Sequence, residues 1–302
     1  MVDQRRRTDL AVEAAQLWRE NGGAGALPGV TQEEAVREGF QVETVRILDK
    51  RGAEALGKPE GNYVTLSLAG LARREKDAFG RAARAVAAEL SALLKLEPGE
   101  SVLVVGLGNR AITPDDIGPR AADHTLATRH LVEQVPEHFA SFRPVAALAA
   151  GVLGSTGVES GELVRAVVDR ISPARVVAVD ALASRSLSRV CATVQLSDTG
   201  IVPGSGVGNA RFALNRETLG VPVIAVGVPT VVDAATLAAD VLAQAGRDDL
   251  DPDALRGAGD GLLVTPRDID QRVADLAKVI GYGIDLALQP DLTIEDIDLL
   301  LS

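Results

Sequence analysis

The sequence predicts an α/β fold on a mainly parallel sheet, and three observations carry that reading. Five short apolar runs, "SVLVVGLGN" at 101–109, "PVAALAAGV" at 144–152, "ARVVAVDAL" at 174–182, "VCATVQLS" at 190–197 and "VPVIAVGVP" at 221–229, have the form of strands buried on both faces. Segments with apolar residues three and four apart lie between several of them, so strands alternate with covering helices. With 302 residues, 46% of them hydrophobic, the chain can fill one large core.

At the N-terminal end Thr8 or Asp9 can accept orphan backbone N–H bonds at the start of a helix whose apolar side carries Leu10, Ala14, Leu17 and Trp18. Residues 20–30, "ENGGAGALPGV", hold too much glycine and proline for a regular element. The stretch 38–68 reads as extended pieces forming a small β region. Over 71–96 the positions Phe79, Ala82, Ala83, Val86, Leu90 and Leu93 predict a helix, closed by Pro98-Gly99. Further helices are expected at 119–134, after the first core strand, at 160–171 and at 230–245. Residues 246–265 are acidic and turn-rich, as in a surface loop, and 266–290 predicts a last helix through Ile269, Val273, Leu276, Ile280 and Ile284. The strand crossovers should be right-handed, and chemistry in such sheets gathers at the carboxyl ends of the strands.

Composition narrows the function classes. The formal charge is −11 and Arg5–Arg7 is the one basic cluster, so phosphate neutralisation on nucleic acid has no evident source. A single cysteine, Cys191, allows neither an internal disulfide nor a cysteine-based metal site. No apolar run reaches the roughly eighteen residues of a membrane span, and no signal-peptide core is visible at the N-terminus. An intracellular protein without membrane or nucleic-acid partners is expected.

Two acidic residues stand out by position. Asp180 follows "RVVAV" directly, and Asp115 lies in "TPDDIGP" just beyond the strand and glycine turn at 102–108, so both belong at the same rim of the sheet. Two carboxylates a few ångströms apart do not both ionise easily; one keeps a proton while the other acts as base, the arrangement that activates water against an amide. Each alone has a simpler reading, Asp115 as a helix cap and Asp180 as a partner for loop amides. "SDTGI" at 197–201 carries one Asp-Thr-Gly in an α/β pattern, whereas two-lobed aspartic proteases use two copies in an all-β frame, so Asp198 reads as a turn residue. "GLGN" at 106–109 and "PGSGVGN" at 203–209 do not complete a dinucleotide-binding loop. Their glycines either turn the chain sharply or let backbone approach a bound peptide. His124, His130 and His138 fall in or just after one predicted helix, with no nucleophile elbow to serve.

Taken together, "RTDLAVEA" at 7–14, "GNYVTL" at 61–66, "LVVGLGN" at 103–109, "TPDDIGP" at 113–119, "TRHL" at 128–131, "VDALASRS" at 179–186, "SDTGIVPGSGVGN" at 197–209, "LGVPVIAVGVPTVVDA" at 219–234 and "LVTPRDID" at 263–270 resemble the germination protease (spore protease) family. The resemblance implies a three-layer α/β/α sandwich similar to hydrogenase maturation proteases. It also implies an atypical aspartic endopeptidase that starts the degradation of small acid-soluble spore proteins during germination in the spore core; no cofactor or metal is expected. It puts the catalytic pair on Asp115 and Asp180, and it implies a homotetramer made as a zymogen that cuts itself between Asp9 and Leu10. Residues 1–9 are then a propeptide and 10–302 one peptidase domain, with N-terminal helices and the small β region over 10–100 and the α/β core over 101–302. Here the propeptide is short and the stretch before "LVTP" is shorter and more acidic than the family pattern. Substrate contacts are assigned to Gly106, Gly108, Asn109, Gly204 and Gly206, whose turns offer amides to an oxyanion, and to Arg185, with Arg129, as the cation facing an acidic side chain. The alternatives are a hydrogenase-maturation-like peptidase and a non-catalytic nucleotide-binding module.

Overall fold

The computed structural model describes residues 8–20, 22–23, 25–205, 211–246 and 261–302. Nine strands among them form one sheet: β1 (Val30–Arg37), β2 (Phe40–Ile47), β3 (Gly61–Ser67), β4 (Val102–Leu107), β5 (Val145–Gly151), β6 (Arg175–Ser184), β7 (Thr193–Ser197), β8 (Val223–Asp233) and β9 (Leu263–Val264). Their order is β1-β2-β3-β7-β8-β6-β4-β5, with β9 on the end of β8. The centre, β8-β6-β4-β5, is parallel. The extended N-terminal pieces do not form a separate unit: β1, β2 and β3 continue the same sheet antiparallel, joined to β8 through β7.

Side-chain alternation along the central strands divides the core into two faces. Val102 and Val104 of β4, with Val177 and Val179 of β6, pack against the helices Ala78–Leu94 and Ile269–Leu288. Leu103, Val105 and Leu107, with Val176 and Ala178, face the other way onto Val164 and Val168 of the helix Ser160–Ile171. These are the outer layers of an α/β/α sandwich. A further cluster joins the N-terminal helix Ala11–Glu20 to Val45, Ile47, Leu56, Tyr63 and Leu182.

Several elements differ from the pattern-based expectation for local reasons. Strand β1 is exposed along almost its whole length, so it shows no alternation; its Glu33, Glu34 and Arg37 belong to an edge that water keeps solvated. The stretch 38–68 contains a helix, Lys50–Leu56, nucleated by Asp49, whose carboxylate accepts from the Arg51 and Gly52 amides, and stopped at Gly57. The expected helix at 119–134 is two, Ile117–Asp123 and Arg129–Gln134; the Leu126 amide leaves the helical pattern to donate to Asp285 Oδ1 at 2.9 Å. The C-terminal helix Ile294–Leu301, opened by a Thr293–Asp296 capping box, adds an element beyond those expected. Most of the acidic loop, 247–260, lies outside the described residues. Among the described residues no helix is long and apolar enough to cross a membrane.

Asp285 is 1% exposed, and its Oδ2 has no hydrogen-bond partner among the described residues. Burial pushes this carboxyl up to about 8, against the pull of the Leu126 amide. Because its pKa rises on folding, the native state holds a proton that the unfolded chain has released, and the associated stability is lost as pH climbs toward 8. Asp285→Asn is therefore expected to flatten the pH dependence of unfolding. Between pH 5 and pH 7 the native chain should lose about 1.4 kcal/mol per unit relative to the variant, read from denaturant midpoints.

Candidate active site

The two faces of the sheet explain where a cavity forms. By alternation Asp180 shares the face of Val176, Ala178 and Leu182, and it falls between the apolar cluster under the helix Ser160–Ile171 and the one under the N-terminal helix. Neither cluster covers it. Asp180 is paired in register with Gly227 of β8, and β6 continues past it to Ser184 because β8 runs equally far. Asp180 is 4% exposed, and its Oδ1 accepts from the Ala181 amide at 2.9 Å.

Asp115 reaches the same place through backbone contact. Gly106 lets β4 and the start of the helix Ile117–Asp123 touch main chain to main chain: a Cβ there would lie 2.2 Å from the Gly118 carbonyl oxygen. At Gly108, where φ is +120°, a Cβ would lie 1.9 Å from the carbonyl oxygen of Asp115. The turn Thr113–Asp115 thus folds back onto the end of β4, and the Asn109 amide donates to Asp115 Oδ2 at 2.8 Å.

Both carboxyls line one cavity of about 490 Å³, with Leu107, Ile112, Leu153 and Phe212 among its apolar walls and Glu159 and Arg211 among its charged ones. Burial, and next the charge of Asp115, push the Asp180 carboxyl well above the ordinary aspartate value. Asp115 is half-buried and raised as well, first by burial, with the Asn109 amide opposing and Asp116 adding to it. Since Asp180 is the more enclosed and feels Asp115 as a like charge, Asp180 is the member of the pair that holds its proton to higher pH.

The N-terminal segment enters this cavity. The Asp9 amide donates to the Ala183 carbonyl at 2.9 Å, and its side-chain Oδ2 accepts from the Ala183 amide at 2.8 Å. Asp9 Oδ1 accepts from the Ser205 hydroxyl at 3.0 Å, and Asp9 is among the cavity-lining residues with Asp115 and Asp180. Its carbonyl oxygen accepts from Lys58 Nζ at 2.8 Å and from Gln195 Nε2 at 3.1 Å. Leu10 is fully buried in the neighbouring apolar cluster. Glu13, 1% exposed, accepts from the amides of Arg185 and Ser186 at 2.7 and 3.0 Å, and from Thr8 Oγ1.

Of the other expected contacts, Gly108, Asn109 and Gly204 line the cavity. Gly106 does not; its lack of a side chain serves the β4 packing. Gly206 lies outside the described residues. The Arg185 guanidinium turns to Asp240 and Glu20, both at 2.8 Å, and Arg129 pairs with Glu133, so neither faces the Asp9 carboxylate; a backbone amide and a hydroxyl do. The Asn109 amide is spent on Asp115 and that of Ser205 on Val202, while the donors at the Asp9 carbonyl are side chains that sequence reasoning passed over. Lys58, in a turn before β3, and Gln195, inside a buried strand, have no motif to announce them. Asp198 accepts from the Asn62 amide and side chain and ties β7 to β3. None of the three histidines lines the cavity. The Cys191 thiol is buried and pushed up to about 12. Among the described residues no group of three His, Cys, Asp or Glu side chains is placed to hold a metal.

Comparison with known proteins gives one family. The family model described as germination protease matches residues 8–248. Germination proteases of Caldanaerobacter subterraneus subsp. tengcongensis and Clostridium perfringens are 43% and 42% identical, with 98% of this chain and 98–99% of theirs covered. That of Priestia megaterium is 37% identical over 96% of this chain and 95% of its own. Among solved structures, the [NiFe] hydrogenase maturation protease HycI of Thermococcus kodakarensis aligns with 65% of this chain and 98% of its own, at 17% identity and a TM-score of 0.37.

The coupling between the two carboxyls has a direct test. In Asp115→Asn the like charge is gone while burial, the larger cause, remains. The Asp180 carboxyl should therefore titrate lower than in the parent protein yet still above the usual aspartate range. Carboxyl carbon shifts followed by NMR across pH measure this, and an unmoved Asp180 titration would show the two groups to be independent.

Proposed function

The chain belongs to the germination protease family, a family of peptidases, and from that premise we propose that it is an endopeptidase whose water is activated by Asp115 and Asp180. Asp115, ionised, takes a proton from water as the oxygen bonds to the carbonyl carbon. When the carbon–nitrogen bond breaks, Asp180 passes its proton to the leaving nitrogen, and the pair ends with the proton on the other member. The first substrate is the chain itself, cut between Asp9 and Leu10. One observation carries this reading: Asp9, held by its backbone and its carboxylate, lines the cavity that the two carboxyls share.

Small acid-soluble spore proteins are the proposed targets in trans, in the spore core, with the enzyme a homotetramer. An acidic residue before the scissile bond would be held as Asp9 is, by the Ala183 amide and the Ser205 hydroxyl, so a net charge of −11 is no obstacle to an acidic substrate.

Asp115→Asn and Asp180→Asn should each lower self-processing and cleavage of a spore DNA-coating protein by about 10³-fold or more while leaving the fold intact, as measured by intact mass and circular dichroism. The rate should be bell-shaped in pH. Its acid limb follows Asp115 and lies above the usual aspartate value, since that carboxyl is raised, and its alkaline limb follows the higher-titrating Asp180. Wild-type rates in Asp180→Asn would overturn the assignment.

A further inference from the structure

The carbonyl of the bond proposed to break meets a pair of donors, Lys58 and Gln195, which line a second cavity that shares Asp9 with the first. We propose that Lys58 and Gln195 are catalytic residues of the self-cleavage, stabilising the oxyanion that forms on the carbonyl oxygen of Asp9. This rests on the reading that the Asp9–Leu10 bond is the one cut.

Lys58 Nζ and Gln195 Nε2 stand 2.8 and 3.1 Å from that oxygen, within the range an oxyanion hole needs. Gln195 is 7% exposed on β7, and its amide cannot turn away. Its Oε1 accepts from the Ala11 amide at 2.8 Å, which leaves the NH₂ group pointing at Asp9. One glutamine therefore brackets the scissile bond, holding the amide of the second residue after it and the carbonyl before it. The Leu10 amide is itself held by Thr8 Oγ1 at 3.0 Å, which completes the bracket on the leaving side.

Lys58 brings charge to the same oxygen. Its stem reaches the surface, but its ammonium end is enclosed; enclosure lowers its pKa, while Asp9 and Glu13 favour the charged form. In the ground state its direct contact is with a neutral carbonyl, and only the nearby Asp9 and Glu13 carboxylates offset its enclosure. Beside an alkoxide it gains a full opposite charge, so the contact strengthens as water adds to the carbon. The balance is simple: water's oxygen bonds to the Asp9 carbonyl carbon, the carbonyl π pair moves onto oxygen under Lys58 and Gln195, and it returns as the bond to Leu10 nitrogen breaks. No redox partner or further reactant enters.

The test follows loss of residues 1–9 from the full chain by intact mass, under conditions in which the parent protein converts. Lys58→Met keeps the unbranched stem, one atom shorter, and removes the donor. Gln195→Glu keeps the acceptor for the Ala11 amide and replaces the donor with a carboxylate. Each is expected to slow conversion by about 10²-fold or more, with Lys58→Arg recovering part of the rate, and with the Ala11 amide as protected from hydrogen exchange as in the parent. Conversion at the parent rate in either folded variant would overturn the proposal, as would slow conversion accompanied by a freely exchanging Ala11 amide, because the residues would then merely seat the segment. If Lys58→Met does not fold, Gln195→Glu decides. Asp180→Asn separates this inference from its premise: if it converts at the parent rate, the carboxyl-pair reading fails, whereas a block there with normal rates in the Lys58 and Gln195 variants sinks only the oxyanion assignment.

Discussion

A carboxyl group enclosed in the middle of a β-sheet is the constraint on which the site depends. Asp180 cannot shed its desolvation by turning to water, because it is locked in register against Gly227 and flanked on its own face by Ala178 and Leu182. It can only hold a proton or face a compensating group, and the charge that acts on it most strongly is the like charge of Asp115. Enclosure and repulsion therefore act in the same direction, and they separate the proton affinities of two chemically identical side chains.

Everything that brings Asp115 there is main-chain contact. Two glycines at the end of β4 let the following turn and helix lie directly on the strand, so the carboxylate is set by backbone packing and by the Asn109 amide rather than by a flexible side-chain reach. The cavity itself comes from what is missing: the helix Ser160–Ile171 covers one end of that sheet face, the N-terminal helix the other, and the seam between the two clusters stays open. Because the N-terminal helix forms one side of the seam, the chain segment that precedes it is delivered to the carboxyls by the fold.

Much of this architecture could be read along the chain. Unbroken apolar runs ending in glycine announce strands covered on both faces, and the α/β class with a parallel centre follows from their alternation with helices. The positions of Asp115 and Asp180 pointed to one rim of the sheet; both do line one cavity, although Asp180 lies within β6 rather than past its end. What could not be read has physical causes. Strand β1 is an exposed edge with no periodic face, and it is in the sheet because β2 pairs with it over its full length. The break after Asp123 depends on a carboxyl at Asp285, far away in sequence, capturing the Leu126 amide. Arg185, a natural partner for an acidic side chain by composition, is captured instead by Asp240 and Glu20.

The sequence by itself determined the class of fold, the family and the two aspartates worth attention, because buried strands and glycine turns leave patterns within a few residues of one another. Only the tertiary structure decided how Asp9 is held, which of the two carboxyls keeps the proton, and that Lys58 and Gln195 meet one carbonyl oxygen. Those outcomes depend on burial and on contacts between residues dozens to well over a hundred positions apart. A hydrogen bond of that kind has no period, and nothing in the local order of residues encodes it.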